Sequence, residues 1–103
     1  MREGTSLYAR VSFYQLAEGG DIDAAVESFD KSVPTVRQMA GNQGLKLMID
    51  RHKGKVIAIT LWDSPSALKL SSQLSNTVRQ QIAGMGGLTI ENVEHYEVVR
   101  DER

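Results

Sequence analysis

Few side chains in this sequence are of a kind that does chemistry unaided. There are two histidines, His52 and His95, and no cysteine. Imidazole titrates near neutral pH, so each is a candidate general acid or base. His95 has Glu94 and Glu97 beside it. In an extended segment Glu97 shares its face and is placed to orient it as a base. The plainer reading is a strand histidine at the edge of an interface, because no nucleophile or second histidine accompanies it. His52, between Arg51 and Lys53, reads as a solvated loop residue. Trp62 suits stacking on a flat aromatic ligand, or packing at the start of the helix that follows. Arg10, Ser12 and Tyr14 share one strand face. They suit hydrogen bonds to a ligand or the polar part of a sheet–sheet contact, and the contact is the expectation. Two histidines without carboxylates at ligand spacing give no protein-held metal site. Gly84-Met85-Gly86-Gly87 follows a helical pattern and precedes a strand, the wrong order for a dinucleotide loop.

The elements that must position these residues are legible from periodicity. Leu7 to Leu16 alternates apolar and polar, a strand. Asp21 is placed to cap a helix carrying Ile22, Val26, Phe29, Val33, Val36 and Ala40 at helical spacing, with a kink or break expected near Pro34. Leu45 to Ile49 and Lys55 to Trp62 form a hairpin about the polar turn Asp50–Gly54. Ser64 and Pro65 open a second helix whose stripe is Ala67, Leu70, Leu74, Val78 and Ile82. A last strand runs from about Leu88 to Val99, its broken alternation calling for a bulge near Asn92 or His95. The order is βαββαβ: an α+β, ferredoxin-like single domain over residues 1–103, with an ordered core of about 7–99 and a four-stranded antiparallel sheet.

Composition narrows the partners. The chain has 103 residues, 12 Lys and Arg against 13 Asp and Glu, and 41% hydrophobic residues. A net charge of −1 gives no excess of cations to track a phosphate backbone or an anionic membrane. The cluster Arg51-His52-Lys53 with Lys55 lacks interleaved aromatics, so no nucleic acid is expected. No apolar run approaches the roughly 20 residues of a spanning helix, and the start lacks a signal-like stretch, so the expected compartment is the cytoplasm. The third strand is apolar on both faces: Ile57, Ile59 and Leu61 on one, Val56, Ala58 and Trp62 on the other. Two helices cover only one face of such a sheet. A second copy of the chain is the expected cover for the other, a homodimer with sheets face to face.

Tyr8-Ala9-Arg10-Val11, Asp50-Arg51, Gly54-Lys55, Ile59-Thr60-Leu61-Trp62-Asp63-Ser64 before Ala67-Leu68, and Val93-Glu94-His95-Tyr96-Glu97-Val98 together carry a likeness. Over residues 7–99 the chain resembles small actinobacterial proteins of the antibiotic biosynthesis monooxygenase (ABM) type, in the dimeric α+β barrel superfamily. The resemblance implies a barrel of two sheets with a cavity in each subunit between sheet and helices. It implies one of several activities: oxidation of aromatic polyketide intermediates by molecular oxygen without metal or flavin, haem degradation, or small-molecule binding alone. Haem-degrading members place an Asn on the first strand and a Trp and a His on the second helix; those places fall on Val11, Ser71 and Gln81. Anthrone-oxidising members carry an Asn ahead of the Trp that ends the third strand. Trp62 is kept here and Ala58 stands at the Asn position.

Two readings follow. The first is an ABM-like dimeric barrel binding a hydrophobic or aromatic metabolite, a cofactor-independent monooxygenase if it is an enzyme. Val11, Phe13, Phe29, Ala58, Thr60, Trp62, Leu74 and Val78 are its expected substrate-binding lining, and His95 its weak candidate for catalysis. The second is a non-catalytic ligand-binding or assembly module. A lined pocket of roughly 300 Å³ or more separates them.

Overall fold

The computed structural model describes residues 6–102. Its elements are β1 (Leu7–Leu16), α1 (Ile22–Arg37), β2 (Asn42–Asp50), β3 (Lys55–Trp62), α2 (Pro65–Leu70), α3 (Ser72–Gly86) and β4 (Leu88–Val98). The strands form one antiparallel sheet in the order β2-β3-β1-β4, which puts the first and third strands at its centre. This is the expected α+β, ferredoxin-like arrangement. The expected bulge lies beside Asn92. Phe13 pairs with Asn92 and Tyr14 with Ile90, so Glu91 is the extra residue that flips the parity of the strand.

Local sequence sets the ends of the helices. The Asp21 carboxylate accepts from the Asp23 amide at 3.0 Å, and the Ser64 hydroxyl accepts from the Ala67 amide at 3.0 Å. The first helix is not broken at Pro34. It runs through Pro34 and ends one turn later at Arg37, so the missing N–H is absorbed close to the C-terminus. The second helical pattern is interrupted where no break was expected. Ser71 ends α2 and begins α3, and its hydroxyl donates to the Leu68 carbonyl at 2.9 Å. Serine offers the backbone this local alternative to a continuous helix. Gly87 then closes α3 in the left-handed conformation at φ 63°.

Strand alternation decides which residues the helices cover. Tyr14, Val56, Ala58 and Leu88 from the sheet join Ile22, Ala25 and Phe29 of α1 and Ile82 of α3 in one buried cluster. The same face of β1 carries Arg10 and Ser12, both buried. Leu7, Ala9, Val11 and Phe13 point the other way, with Ile57, Ile59 and Leu61 beside them. The helices therefore stand over the polar side of the first strand. That reverses the expectation for Arg10, Ser12 and Tyr14, which lie under the helices and not on the side left for a second sheet.

Candidate functional site

The space between sheet and helices is organised by Arg10. Only 3% of this residue is exposed, although it is charged. Its Nη1 donates to the Ser71 hydroxyl at 3.0 Å and to the Ser75 hydroxyl at 2.7 Å. Its Nη2 donates to the Leu68 carbonyl at 2.5 Å and to the Ser72 hydroxyl at 3.1 Å. Spacings of three and four residues put these acceptors on one side of α2 and α3. On the other side the guanidinium carbon stands 5.8 Å from the centre of the Trp62 ring, within cation–π range. Trp62 is fully buried, and its Nε1 donates to the Thr60 hydroxyl at 2.9 Å. Its structural role is thus visible: it closes the end of β3 and flanks the arginine.

Every one of these acceptors is neutral. Among the described residues Arg10 has no carboxylate partner, and the ion pair present joins Arg51 to Asp23 on the surface. A buried charge without a counter-charge is disfavoured by desolvation. Accordingly burial, and next the nearby Arg79 guanidinium, lower the Arg10 pKa from its ordinary value to about 10. Arg79, on α3, is held more loosely: Nη1 reaches the Ser12 hydroxyl at 3.5 Å and Nη2 the Asn76 amide oxygen at 3.2 Å. Tyr14 is pushed up to about 12, because burial outweighs the opposing pull of Arg79 and a bond with Ser12. Its phenol stays protonated at neutral pH.

These groups surround a cavity of about 30 Å³, bounded by Arg10, Ser12, Tyr14, Thr60, Ser75 and Arg79 on its polar side and by apolar residues of both helices elsewhere. That volume accommodates a water or a small head group, not an aromatic ring. An outer groove of about 230 Å³ runs between α1 and α3. Ser32 and Val78 line both spaces, so these two side chains are the partition between them.

Of the eight expected lining residues the cavity brings together Phe29, Ala58, Thr60 and Val78. Val11 and Phe13 do not belong to it, since strand alternation sends them to the opposite face. Leu74 is 43% exposed and lines the outer groove, and Trp62 stands behind Arg10 without bounding the cavity. The expected 300 Å³ enclosure is absent at this position. His95 faces the helices because of the bulge, and its Nε2 accepts from Arg10 Nε at 3.4 Å. Its hydrogen-bond partner is thus Arg10 and not Glu97. Partial burial, then Arg10 and Arg79, lower its pKa below 6.5, which keeps it neutral at pH 7. Sequence reasoning grouped Arg10 and Ser12 with Tyr14 but expected them at a sheet–sheet contact, and it missed Arg79 and Ser75 beside them. The available signal was a polar face on a strand that the topology makes central. Among the described residues no group of three or more His, Asp or Glu is arranged to hold a metal ion.

No family model matches the sequence. Two proteins of Mycobacterium tuberculosis, both uncharacterized, MT2634 and Rv2557 of two strains, are each 33% identical over 107 aligned residues. The alignment covers 100% of this chain and 47% of each relative, so the chain spans about half the length of the curated relatives it matches. Solved structures superpose along nearly the whole length. SnoaB, a cofactor-independent oxygenase from Streptomyces nogalater, gives a TM-score of 0.66 at 12% identity, covering 95% of this chain and 96% of that one. A candidate antibiotic biosynthesis monooxygenase from Bordetella bronchiseptica gives 0.68 at 12% identity, covering 92% and 99%. The chain has the ABM-type fold. The protein NE2512 of Nitrosomonas europaea, of unknown function, gives 0.72 at 11% identity over 96% and 94% of the two chains. The ABM-type fold thus serves both an oxygenase and a protein without an assigned role, and the activity has to be argued from the site.

Proposed function

We propose that this protein seats the oxygen-bearing end of a small metabolite in the sheet–helix cavity around Arg10, with its aromatic or hydrophobic body in the outer groove, and oxygenates it without a cofactor. The observation that carries this reading is that the central strand buries Arg10, Ser12 and Tyr14 where a merely structural layer would bury hydrocarbon. Guanidinium and hydroxyl donors facing a small cavity suit the stabilisation of an oxyanion as an enol or phenol loses its proton. His95, kept neutral beside Arg10, is the base within reach of that region. The electrons come from the substrate. A CH₂ flanked by aromatic rings reacts with O₂ to give C=O and H₂O, one oxygen atom becoming the carbonyl and the other leaving as water.

The reading includes a second copy of the chain. Val11, Phe13, Ile57, Ile59 and Leu61 share the sheet face on which none of the helices stands, with exposed Met48 and Tyr96 at its margins. A continuous apolar face of this kind suits a two-fold contact. The cavity's small volume favours a second reading, a non-catalytic binding or assembly module built on the same dimer.

Oxygen uptake with a panel of anthrones and hydroquinones separates the two. Wild type consumes oxygen with at least one member, and Ala58→Leu, which fills the cavity without touching a polar group, abolishes it. Uptake unchanged in Ala58→Leu, or absent with every compound, refutes the oxygenase reading.

A further inference from the structure

We infer that the ligand of this cavity carries an acidic oxygen, a carboxylate on an aryl or alkyl body, and that Arg79 is the side chain that clamps it. The inference rests on the cavity being the binding site and goes further by fixing the ligand's charge. Two guanidiniums, Arg10 and Arg79, border one small cavity, and no carboxylate balances either one among the described residues. Like charges facing a common low-dielectric space are unfavourable alone and become favourable when an anion sits between them.

The two arginines divide the work. Arg10 is fixed: Trp62 flanks it and four short bonds hold its Nη atoms, so it supplies positive potential without moving. Arg79 is free to turn. Its bond to Ser12 is at the outer limit of length, and its bond to Asn76 lies within its own helix. An incoming carboxylate replaces that weak Ser12 contact with a charge-assisted one, shorter and stronger. The hydroxyls of Ser12 and Tyr14 remain beside it as neutral donors. The cavity's size agrees, since about 30 Å³ takes a head group and leaves the body of the molecule to the outer groove across Ser32 and Val78.

Benzoate and its neutral isostere benzamide test this. Trp62, the chain's one tryptophan, flanks Arg10 and reports occupancy by its fluorescence, with calorimetry as the second readout. Benzoate is expected to bind wild type at least about tenfold more tightly than benzamide, the weight of one charge-assisted hydrogen bond. Acetate competes with benzoate, and acetamide does not. Arg79→Gln removes the preference, while Arg51→Gln, which deletes an exposed cation of the same type, preserves it. Equal binding of benzoate and benzamide, or a preference that survives Arg79→Gln, overturns the acidic-ligand inference and leaves the cavity reading standing. Binding of neither compound at millimolar concentration overturns both.

Discussion

Replacing Arg10 with methionine tests whether the buried charge is there for stability or for function. At neutral pH the folded chain holds a guanidinium whose pKa is lowered from its ordinary value to about 10. That difference corresponds to about 3 kcal/mol against the charged form. The sign follows from proton linkage. Above about pH 10 the unfolded chain binds more protons, so the penalty is fully present below that pH and is relieved as pH rises past it. Opposing it are the four bonds from Nη1 and Nη2, which with a charged donor are together worth about 6 kcal/mol at the low end of their range. The difference, about 3 kcal/mol, is matched by burying a methionine side chain of similar volume, worth about 1.5–3 kcal/mol. The Leu68 carbonyl keeps bonds from the Ser71 and Ser72 hydroxyls at 2.9 and 3.4 Å. Arg10→Met is therefore expected to lie within about 1 kcal/mol of wild type, a shift in Tm of no more than about 4–8 °C for a domain of this size. Urea unfolding followed by circular dichroism measures it. A loss above about 3 kcal/mol, the range for breaking a buried structural charge network, refutes the reasoning and makes Arg10 a strut.

Other perturbations read other parts of the molecule. Ile59→Lys, in the middle of the uncovered sheet face, converts a dimer to a monomer by sedimentation at micromolar concentration; a wild type already monomeric there removes the proposed contact. His95 should titrate below 6.5 by NMR, being neutral at pH 7, and should move upward in Arg79→Gln as one neighbouring cation is lost. Because its folded pKa is depressed, any stability it contributes is present above about pH 6.5 and declines as pH falls through that value. Gly86→Ala places a Cβ 2.6 Å from the Ala25 Cβ and 3.0 Å from its Cα, where α1 and α3 meet. Chemical denaturation should show a loss of about 1–3 kcal/mol from that overpacking. Val78→Ala opens the partition between groove and cavity and should raise the association rate of benzoate in stopped-flow measurements.

The sequence made the frame legible because each element carried its own signals. Asp21, Ser64 and Pro65 marked helix starts by capping chemistry, and the parity break in Leu88–Val98 announced the bulge at Glu91. The site was harder to read for a physical reason. Periodicity says that two faces of a strand differ but not which one meets the helices. The usual rule places the apolar face inside, which sent Val11 and Phe13 into the cavity and Arg10, Ser12 and Tyr14 out of it. Here the helices stand over the polar face of β1 and the apolar face lies on the side without helices, so the rule picked the wrong face. The break at Ser71 was equally silent, since Ala67, Leu70, Leu74, Val78 and Ile82 keep helical spacing across it.

That break and the misplaced face are one phenomenon. A continuous second helix would present a closed ladder of backbone bonds to the sheet. Helical spacing turns the hydroxyls of Ser71, Ser72 and Ser75 to one side, and the break at Ser71 adds the Leu68 carbonyl to them, where the arginine of the central strand reaches all four. A serine-rich junction thus makes it tolerable to bury a guanidinium without a carboxylate. A carboxylate at Ser71 or Ser75 would make that burial easier still, and it would also neutralise the field that Arg10 projects into the cavity. Ser75→Asp separates these consequences: it should stabilise the fold by pairing Arg10 while weakening benzoate binding at least about tenfold. A variant that is more stable and binds benzoate as wild type does would show that the uncompensated charge has no part in recognition.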